Sequence, residues 1–293
     1  MHRRTLLGWA FLAPLVAYLV LCYGYPLVTT VDLSLRDHTV RTFVHGGAPV
    51  VGLANYAAVF ADPVFRVALL NTVVFTAASL FFQYAIGLAM AVFFARGFRL
   101  SATLRALFLV PWLLPLIVSA STWAWMFNSE SGIVNAALAA VGLDRVNWLT
   151  SPDWSLVSVI VANTWIGVPF NLVLLYSGLR NIPAEVHEAS ALDGANPWQA
   201  FRHVTFPMLR PVSAVTLLLG LVYTLKVFDL VWIMTRGGPS GSSTTLATWS
   251  YELGFGNLLP RFGPSSAVGN LLILLAVAAG LVYVRAQRHQ EAS

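Results

Sequence analysis

Long apolar segments constrain this chain more than any other feature. Six of them reach or approach the roughly 20 apolar residues that a helix needs to cross a bilayer core. Of the 293 residues, 58% are hydrophobic and only 10% are charged, too few charges for a soluble surface. The sequence therefore predicts an all-α membrane protein, a single transmembrane domain over residues 1–293, with spans over residues 6–30, 67–95, 104–127, 156–179, 208–235 and 267–284.

Two shorter apolar runs are not predicted to cross the membrane, and the amino-terminal segment resembles a signal peptide. The runs at residues 132–142 and 55–60 are too short to span a membrane and predict interfacial or surface helices. The opening letters MHRRTLL resemble the start of a signal peptide, but the apolar run that follows is long and has no small-x-small cleavage site. We therefore expect an uncleaved anchor. Cys22, the only cysteine, excludes an internal disulfide and argues against thiolate metal binding.

Charge predicts the orientation of these spans, because cytoplasmic loops are enriched in Lys and Arg. Placing both termini inside puts ten arginines inside and six outside, and this orientation also places more of the acidic residues outside. The basic residues form no dense run, so nucleic-acid binding is a poor interpretation. The inner arginines are Arg3, Arg4, Arg96, Arg99, Arg105, Arg180, Arg202, Arg210, Arg285 and Arg288, and the outer ones are Arg36, Arg41, Arg66, Arg145, Arg236 and Arg261.

The inner loop at residues 180–211, between the fourth and fifth spans, has its own helix signals. Pro183 suits the first position of a helix, and Gly194 suits the left-handed position that follows a helix. Asn196 is a good N-cap for a second helix, and Pro207 predicts its end. The loop is therefore predicted to contain two short helices joined by a tight turn.

Val186, Ala189 and Leu192 recur at three-residue spacing and form a small apolar stripe on the first of these helices. One interpretation is a solvated connection that lies on the membrane surface. The other is a surface on which a partner docks. The length of the loop and its strong helix caps favour docking.

Motifs for catalysis are missing from the sequence. A phosphate-binding loop needs a Gly-Lys-Ser/Thr sequence, but Lys226, the only lysine, precedes a valine. There is no H-E-x-x-H or G-x-S-x-G, and the six histidines show no metal-ligand spacing, so we expect no catalytic or metal site and a membrane enzyme loses support. A transporter driven by an ion gradient needs carboxylates within its spans, and only Asp229 is available. Lys226 and Asp229 are three residues apart, and they are predicted either to form a structural ion pair or to line a substrate cavity.

The inner loop reads EASALDGANPWQAFRHVTFPMLRP from Glu188 to Pro211. This stretch resembles the EAA motif of permease subunits of binding-protein-dependent ABC importers, with Ser190 in place of the second alanine. The stretches VGLANY, NTVVFT, VPWLLP, GIVNAAL, VNWL and FDLVWIMTRGGPSGSSTTL resemble the carbohydrate-type, MalF/UgpA-like branch. The resemblance extends over nearly the whole chain.

The resemblance implies that the first loop helix is a coupling helix that docks on a separate ATPase subunit. It further implies a second, MalG/UgpE-like permease, a MalK/UgpC-like ATPase homodimer, an extracytoplasmic solute-binding protein and a prokaryotic cytoplasmic membrane. ATP and magnesium would bind to the ATPase subunits, and this chain would bind no cofactor. The residues that would contact the ATPase are Glu188, Ala189, Ser190, Asp193 and Gly194.

The resemblance also implies a solute cavity at the middle of the fourth and fifth spans. Hydroxyls together with flat aromatic faces would suit a sugar or a related polyol. A disaccharide, an oligosaccharide and a glycerol-phosphate compound all remain open. The positions matched to the cavity are Ile166, Gly167, Phe170, Gly220, Tyr223, Thr224 and Val227.

Overall fold

The computed structural model describes residues 2–256 and 258–291, with side chains except at residues 2–10, 43 and 286–291. Within those ranges every regular element is helical, and an isolated antiparallel β-bridge joins Arg36 to Val50. The prediction of an all-α protein is confirmed.

Sixteen α-helices and three π-helical turns follow one another along the described residues. The π-helical turns are Val20–Gly24, Phe201–Thr205 and Glu252–Gly256. The α-helices are α1 (His2–Leu19), α2 (Tyr25–Ser34), α3 (Val40–His45), α4 (Ala54–Ala61), α5 (Pro63–Ala95), α6 (Ser101–Phe108), α7 (Val110–Leu113), α8 (Leu116–Met126), α9 (Ile133–Ala140), α10 (Ser155–Arg180), α11 (Ala184–Leu192), α12 (Pro197–Ala200), α13 (Phe206–Leu225), α14 (Asp229–Met234), α15 (Leu246–Tyr251) and α16 (Phe262–Glu291).

Five helical segments of the described chain are long and apolar enough to cross a membrane, and a bent pair of helices gives a sixth candidate. Six spans are therefore present if the bent pair counts as one. The two shorter apolar runs form helices α4 and α9, as predicted. The orientation of the spans stays a prediction, and the side chains of Arg3, Arg4 and Arg288 lie outside the described residues. The five segments are Phe11–Ser34, Pro63–Ala95, Ser155–Arg180, Pro197–Leu225 and Phe262–Arg285.

The predicted third span over residues 104–127 is a bent pair of helices. Its two parts, Ser101–Leu113 and Leu116–Met126, are bent by 94° at the break. Leu114 has a ψ of 142°, which is an extended conformation. The cause is local, because the ring of Pro115 disfavours a helical conformation at the residue before it.

The fifth span differs from the predicted range 208–235 at both of its ends. The helical segment begins earlier, at Pro197, and ends at Leu225, and α14 begins after a short break. Pro207 does not end a helix, because it lies in the first turn of α13 directly after the π-helical turn Phe201–Thr205. A proline is tolerated in a first turn because the N–H that it lacks has no essential partner there.

The chain forms two compact units. The first contains Met1–Arg66 and Trp249–Leu274, and amides hold its helices together. Asn55 Nδ2 donates to the carbonyl oxygens of Ser34 and Arg36, at 2.8 and 2.9 Å. Asn270 Nδ2 lies 3.1 Å from both the Ser34 hydroxyl and the Tyr56 hydroxyl.

The second unit contains Val67–Thr248 and Leu275–Ser293 and is organised around α10. This helix packs against α7, α8, α13 and α14. One apolar core joins Phe75, Ala120, Val159 and Leu230, so α14 packs on α8 and the segments that follow the two breaks are neighbours. A second core includes Phe94, Leu172, Leu175 and Leu209.

Candidate functional site

A cavity of about 540 Å³ opens where the fifth span breaks, and all of its walls belong to the second unit. Its size is within the range of roughly 300–1,000 Å³ that is typical of small-molecule sites. The residues that line it are Gln83, Trp112, Leu116, Asn163, Ile166, Gly167, Phe170, Gly220, Tyr223, Thr224, Lys226, Val227, Phe228 and Asp229.

The cavity collects the positions that sequence reasoning had assigned to a substrate pathway. All seven of them line it, together with Lys226 and Asp229. Their contact with a solute stays a prediction, but the structure shows that all seven residues line the same cavity. The sequence reasoning did not assign Gln83, Trp112, Leu116, Asn163 and Phe228 to this site.

The break in the fifth span supplies one wall of the cavity. α13 ends at Leu225, and the Val227 N–H donates to the carbonyl oxygen of Thr224 at 3.1 Å in a tight turn. α14 then starts at Asp229. Non-helical backbone at membrane depth is tolerated where it lines a cavity or is covered by protein, because its polar groups need partners other than lipid.

Aromatic rings form a second wall. The centroids of Trp112 and Phe170 are 6.0 Å apart, and Phe170 lies at a further 6.0 Å from Tyr223 in an edge-to-face arrangement. Lys226 Nζ lies 5.0 Å from the centroid of the Tyr223 ring. The wall therefore combines apolar faces with the Tyr223 hydroxyl and one cation, a surface that can stack on C–H groups and donate hydrogen bonds.

Lys226 and Asp229 do not form the ion pair that was one of the two interpretations of the sequence. Both side chains are described, and no nitrogen–oxygen contact within 4.0 Å joins them. The reason is the break in the helix, since Lys226 caps the end of α13 and Asp229 begins α14. Both residues are exposed and line the cavity.

We therefore expect Lys226→Met and Asp229→Leu each to leave expression and assembly near the level of the unsubstituted protein. Neither change leaves a partner charge unpaired in a dry core, because no ion pair exists to be broken. Transport should fall in both variants, and the double variant should not regain it. Detergent-solubilised yield and uptake measure the two effects. Recovery of expression only in the double variant would instead show a structural pair.

Two buried amide side chains, Gln83 and Asn163, belong to the cavity wall. Gln83 Nε2 donates to the backbone carbonyl oxygen of Asn163 at 2.9 Å. Asn163 Nδ2 has no hydrogen-bond partner among the described residues. The amide of Gln83 occupies the space that a Cβ at Gly167 would need. The sequence feature that could have identified Gln83 and Asn163 is an amide side chain inside an apolar span, because an unpaired polar group is costly there.

The loop between α10 and α13 has the predicted two helices. α11 ends at Leu192, and Gly194 follows with a φ of +78°, the left-handed conformation predicted for it. Asn196 and Gln199 form a capping box at the start of α12, each side chain accepting from the other's backbone N–H at 2.9 Å. Pro183 is the N-cap of α11, one position before the predicted one.

The outward face of α11 lies open in this chain. Leu192 is 89% exposed, and Glu188 and Ala189 are also exposed. Ser190 is buried instead, and its hydroxyl donates to the carbonyl oxygen of His187 at 2.9 Å. Of the five residues assigned to ATPase contact, Ser190 is therefore buried and the other four are exposed, and their contact with an ATPase stays a prediction.

A family model described as the binding-protein-dependent transport system inner membrane component matches residues 83–292. The chain belongs to this family. Members of the family are membrane components of ABC transporters, in which ATP hydrolysis lies with separate subunits. The matched range includes the cavity and the loop at residues 180–211.

Named relatives of this family cover almost all of the chain. The trehalose/maltose transport system permease protein MalF of Thermococcus litoralis is 33% identical over 290 residues, which cover 98% of this chain and 95% of the relative. The sulfoquinovosyl glycerol transport system permease protein SmoG of Agrobacterium fabrum is 31% identical, with coverages of 98% and 92%. The lactose transport system permease protein LacF of Rhizobium radiobacter is 30% identical, with coverages of 97% and 95%.

A solved structure shares the fold. A chain of the crystal structure of a bacterial alginate ABC transporter, in complex with a periplasmic protein that holds an alginate pentasaccharide, matches with a TM-score of 0.83. The match covers 98% of this chain and 96% of that chain at 22% identity. The arrangement of helices described above is therefore that of an ABC permease.

Proposed function

We propose that this chain forms half of the translocation pathway for a sugar or a related polyol in an ATP-driven importer of the prokaryotic cytoplasmic membrane. The observation that carries the proposal is the cavity at the break of the fifth span, with its aromatic wall, hydroxyls and amides. Sugars present hydroxyls that need hydrogen bonds and C–H faces that stack on aromatic rings.

The names of the relatives support the same class of solute. They include permeases of transport systems for trehalose and maltose, for lactose and for sulfoquinovosyl glycerol. Each of these solutes consists of a sugar unit linked to a second sugar or to glycerol. We therefore favour a disaccharide or a glycosyl glycerol over a long oligosaccharide.

The loop at residues 180–211 supports the assignment of the energy source. α11 exposes Leu192 and Glu188, and a capped turn at Gly194 fixes its exit. We assign this face to an ATPase subunit of a MalK/UgpC-like homodimer, which places the loop and both termini in the cytoplasm. A second, MalG/UgpE-like permease would complete the pathway, and an extracytoplasmic binding protein would deliver the solute.

Uptake into proteoliposomes tests this function. The chain is assembled with its partner permease, its ATPase and its binding protein, and the solute is first identified by calorimetry on the binding protein. We expect uptake that depends on ATP and persists when a protonophore collapses the ion gradient. Uptake that stops with the protonophore and continues without ATP would show a secondary transporter instead.

Tyr223→Ala and Thr224→Ala are expected to lower transport while assembly stays intact. Each removes a group that lines the cavity, and one lost hydrogen bond of about 0.5–1.5 kcal/mol corresponds to a roughly 2- to 12-fold weaker interaction. The measurement is uptake at several solute concentrations together with basal ATPase activity. Val222→Ala is the matched control, because Val222 is exposed but does not line the cavity. Loss of assembly in the two cavity variants would favour a packing role.

A further inference from the structure

A second pocket of about 410 Å³ lies between α6 and the end of α10, and it shares no residue with the cavity described above. Two arginines, two hydroxyl-bearing side chains and an apolar wall surround it. Its lining consists of Arg105, Leu109, Leu172, Val173, Tyr176, Ser177 and Arg180.

Arg105 is held in this pocket with unused hydrogen-bond donors. Its Cζ lies 4.1 Å from the centroid of the Tyr176 ring, so the ring fixes the position of the guanidinium. Arg105 Nη1 is buried and has no hydrogen-bond partner among the described residues. A buried donor on a charged group is unfavourable when it has no acceptor. A ligand that brings an acceptor into the pocket would remove this cost.

The charge of the pocket selects an anion. Arg180 supplies a second guanidinium from the last turn of α10, and no Asp or Glu belongs to the lining. Tyr176 and Ser177 add hydroxyls beside the two cations. Planar guanidinium groups match phosphate oxygens well, because each presents several N–H donors in a fixed fork.

The position of the pocket points to the membrane as the source of that anion. Arg180 is the last residue of Ser155–Arg180, a helix long and apolar enough to cross a membrane, so it lies where such a helix would leave the hydrocarbon. Leu109, Leu172 and Val173 continue the pocket as an apolar wall toward the span. Two cationic side chains beside an apolar wall match a phospholipid. Its phosphate would contact the arginines, and its acyl chains would contact the apolar wall.

We propose that this pocket binds the phosphodiester of an anionic phospholipid, with Arg105 and Arg180 on the phosphate oxygens and the acyl chain along the apolar wall. The proposal does not depend on the solute of the importer. It assigns a ligand to the buried Nη1 donor of Arg105, which has no acceptor among the described residues.

Native mass spectrometry of the assembled importer tests the proposal. The complex is first delipidated and then titrated with phosphatidylglycerol or with phosphatidylcholine. The number of lipid molecules that remain bound to this subunit is then counted. We expect a retained phosphatidylglycerol adduct that phosphatidylcholine does not replace. Arg105→Gln and Arg180→Gln should each weaken its binding about fivefold, the loss of one arginine at an anionic lipid surface. Arg105→Lys should give an intermediate loss, since it keeps the charge but removes the fork.

Arg99→Gln is the matched control, because it removes one exposed arginine of the preceding turn that does not line the pocket. Its adduct should equal that of the unsubstituted protein. Equal adducts in the Arg105 and Arg180 variants, or equal retention of phosphatidylcholine, would overturn the proposal. Displacement by millimolar inorganic phosphate would show a free anion as the ligand. If the lipid binds to this chain without the second permease but not with it, the proposal would be wrong and the pocket would be a contact site for that permease.

Discussion

Replacing Gly194 by valine is expected to lower transport by at least about tenfold while the protein still inserts in the membrane. Gly194 has a φ of +78°, and a side chain in the left-handed region costs roughly 1–2 kcal/mol, more when it is β-branched. No atom lies within 4 Å of the position of an added Cβ, so the effect comes from the backbone alone. The exit of α11 should shift, and the face that carries Glu188 and Leu192 should lose its partner. Co-purification of the ATPase subunits and ATP-dependent uptake measure the result.

Gly142→Val is the matched control for this variant. Gly142 follows α9, has a φ of +77° and also has no atom within 4 Å of an added Cβ, so the backbone strain is the same. This glycine lies outside the loop at residues 180–211, and its variant should retain the ATPase. If both variants retained the ATPase and transported normally, the assignment of α11 as the coupling helix would be wrong.

Replacing Gly87 by valine is expected to prevent stable folding and to lower the yield of assembled protein severely. A Cβ at Gly87 would lie 2.5 Å from Asn171 Cβ and 3.2 Å from the backbone nitrogen of Leu172. Because Asn171 Cβ is attached directly to the backbone of α10 and cannot swing away, α5 and α10 must move apart, and α10 carries both cores of the second unit. Overpacking of this kind costs about 1–3 kcal/mol or more. Thermal unfolding in detergent and the yield after size-exclusion chromatography measure the loss.

Gly280→Val serves as the control, since it places the same side chain in a long helix of the same unit. The nearest atom to an added Cβ at Gly280 is Leu218 Cδ1 at 3.8 Å, an ordinary contact. This variant should fold with nearly the yield of the unsubstituted protein. A stable Gly87→Val protein would mean that α5 and α10 are less closely packed than described.

The two breaks show how far local sequence could predict the fold. Pro115 explains the bend after α7, because a proline restricts the residue before it and this effect needs only two neighbours in sequence. The break between Leu225 and Asp229 contains neither glycine nor proline. It accompanies the packing of Leu230 and Met234 of α14 on Ala120 of α8, which are more than one hundred residues away along the chain.

The sites divide in the same way. The turn at Gly194 and the capping box at Asn196 follow from neighbouring residues, and both could be predicted. The membership of Gln83 in the cavity could not, because its amide bonds to a carbonyl 80 residues away. The interpretation of Lys226 and Asp229 as an ion pair failed because it assumed an unbroken helix.

The sequence by itself determined the apolar segments, the helix caps and the motif at Glu188, since each depends on residue chemistry over a few positions. The tertiary structure alone decided where the spans break, which of their polar groups face one another and which glycines are required. Those features depend on packing between helices that are far apart in sequence. Gly87 illustrates the limit, because the close approach of Asn171 on α10 is what leaves no room for a side chain there.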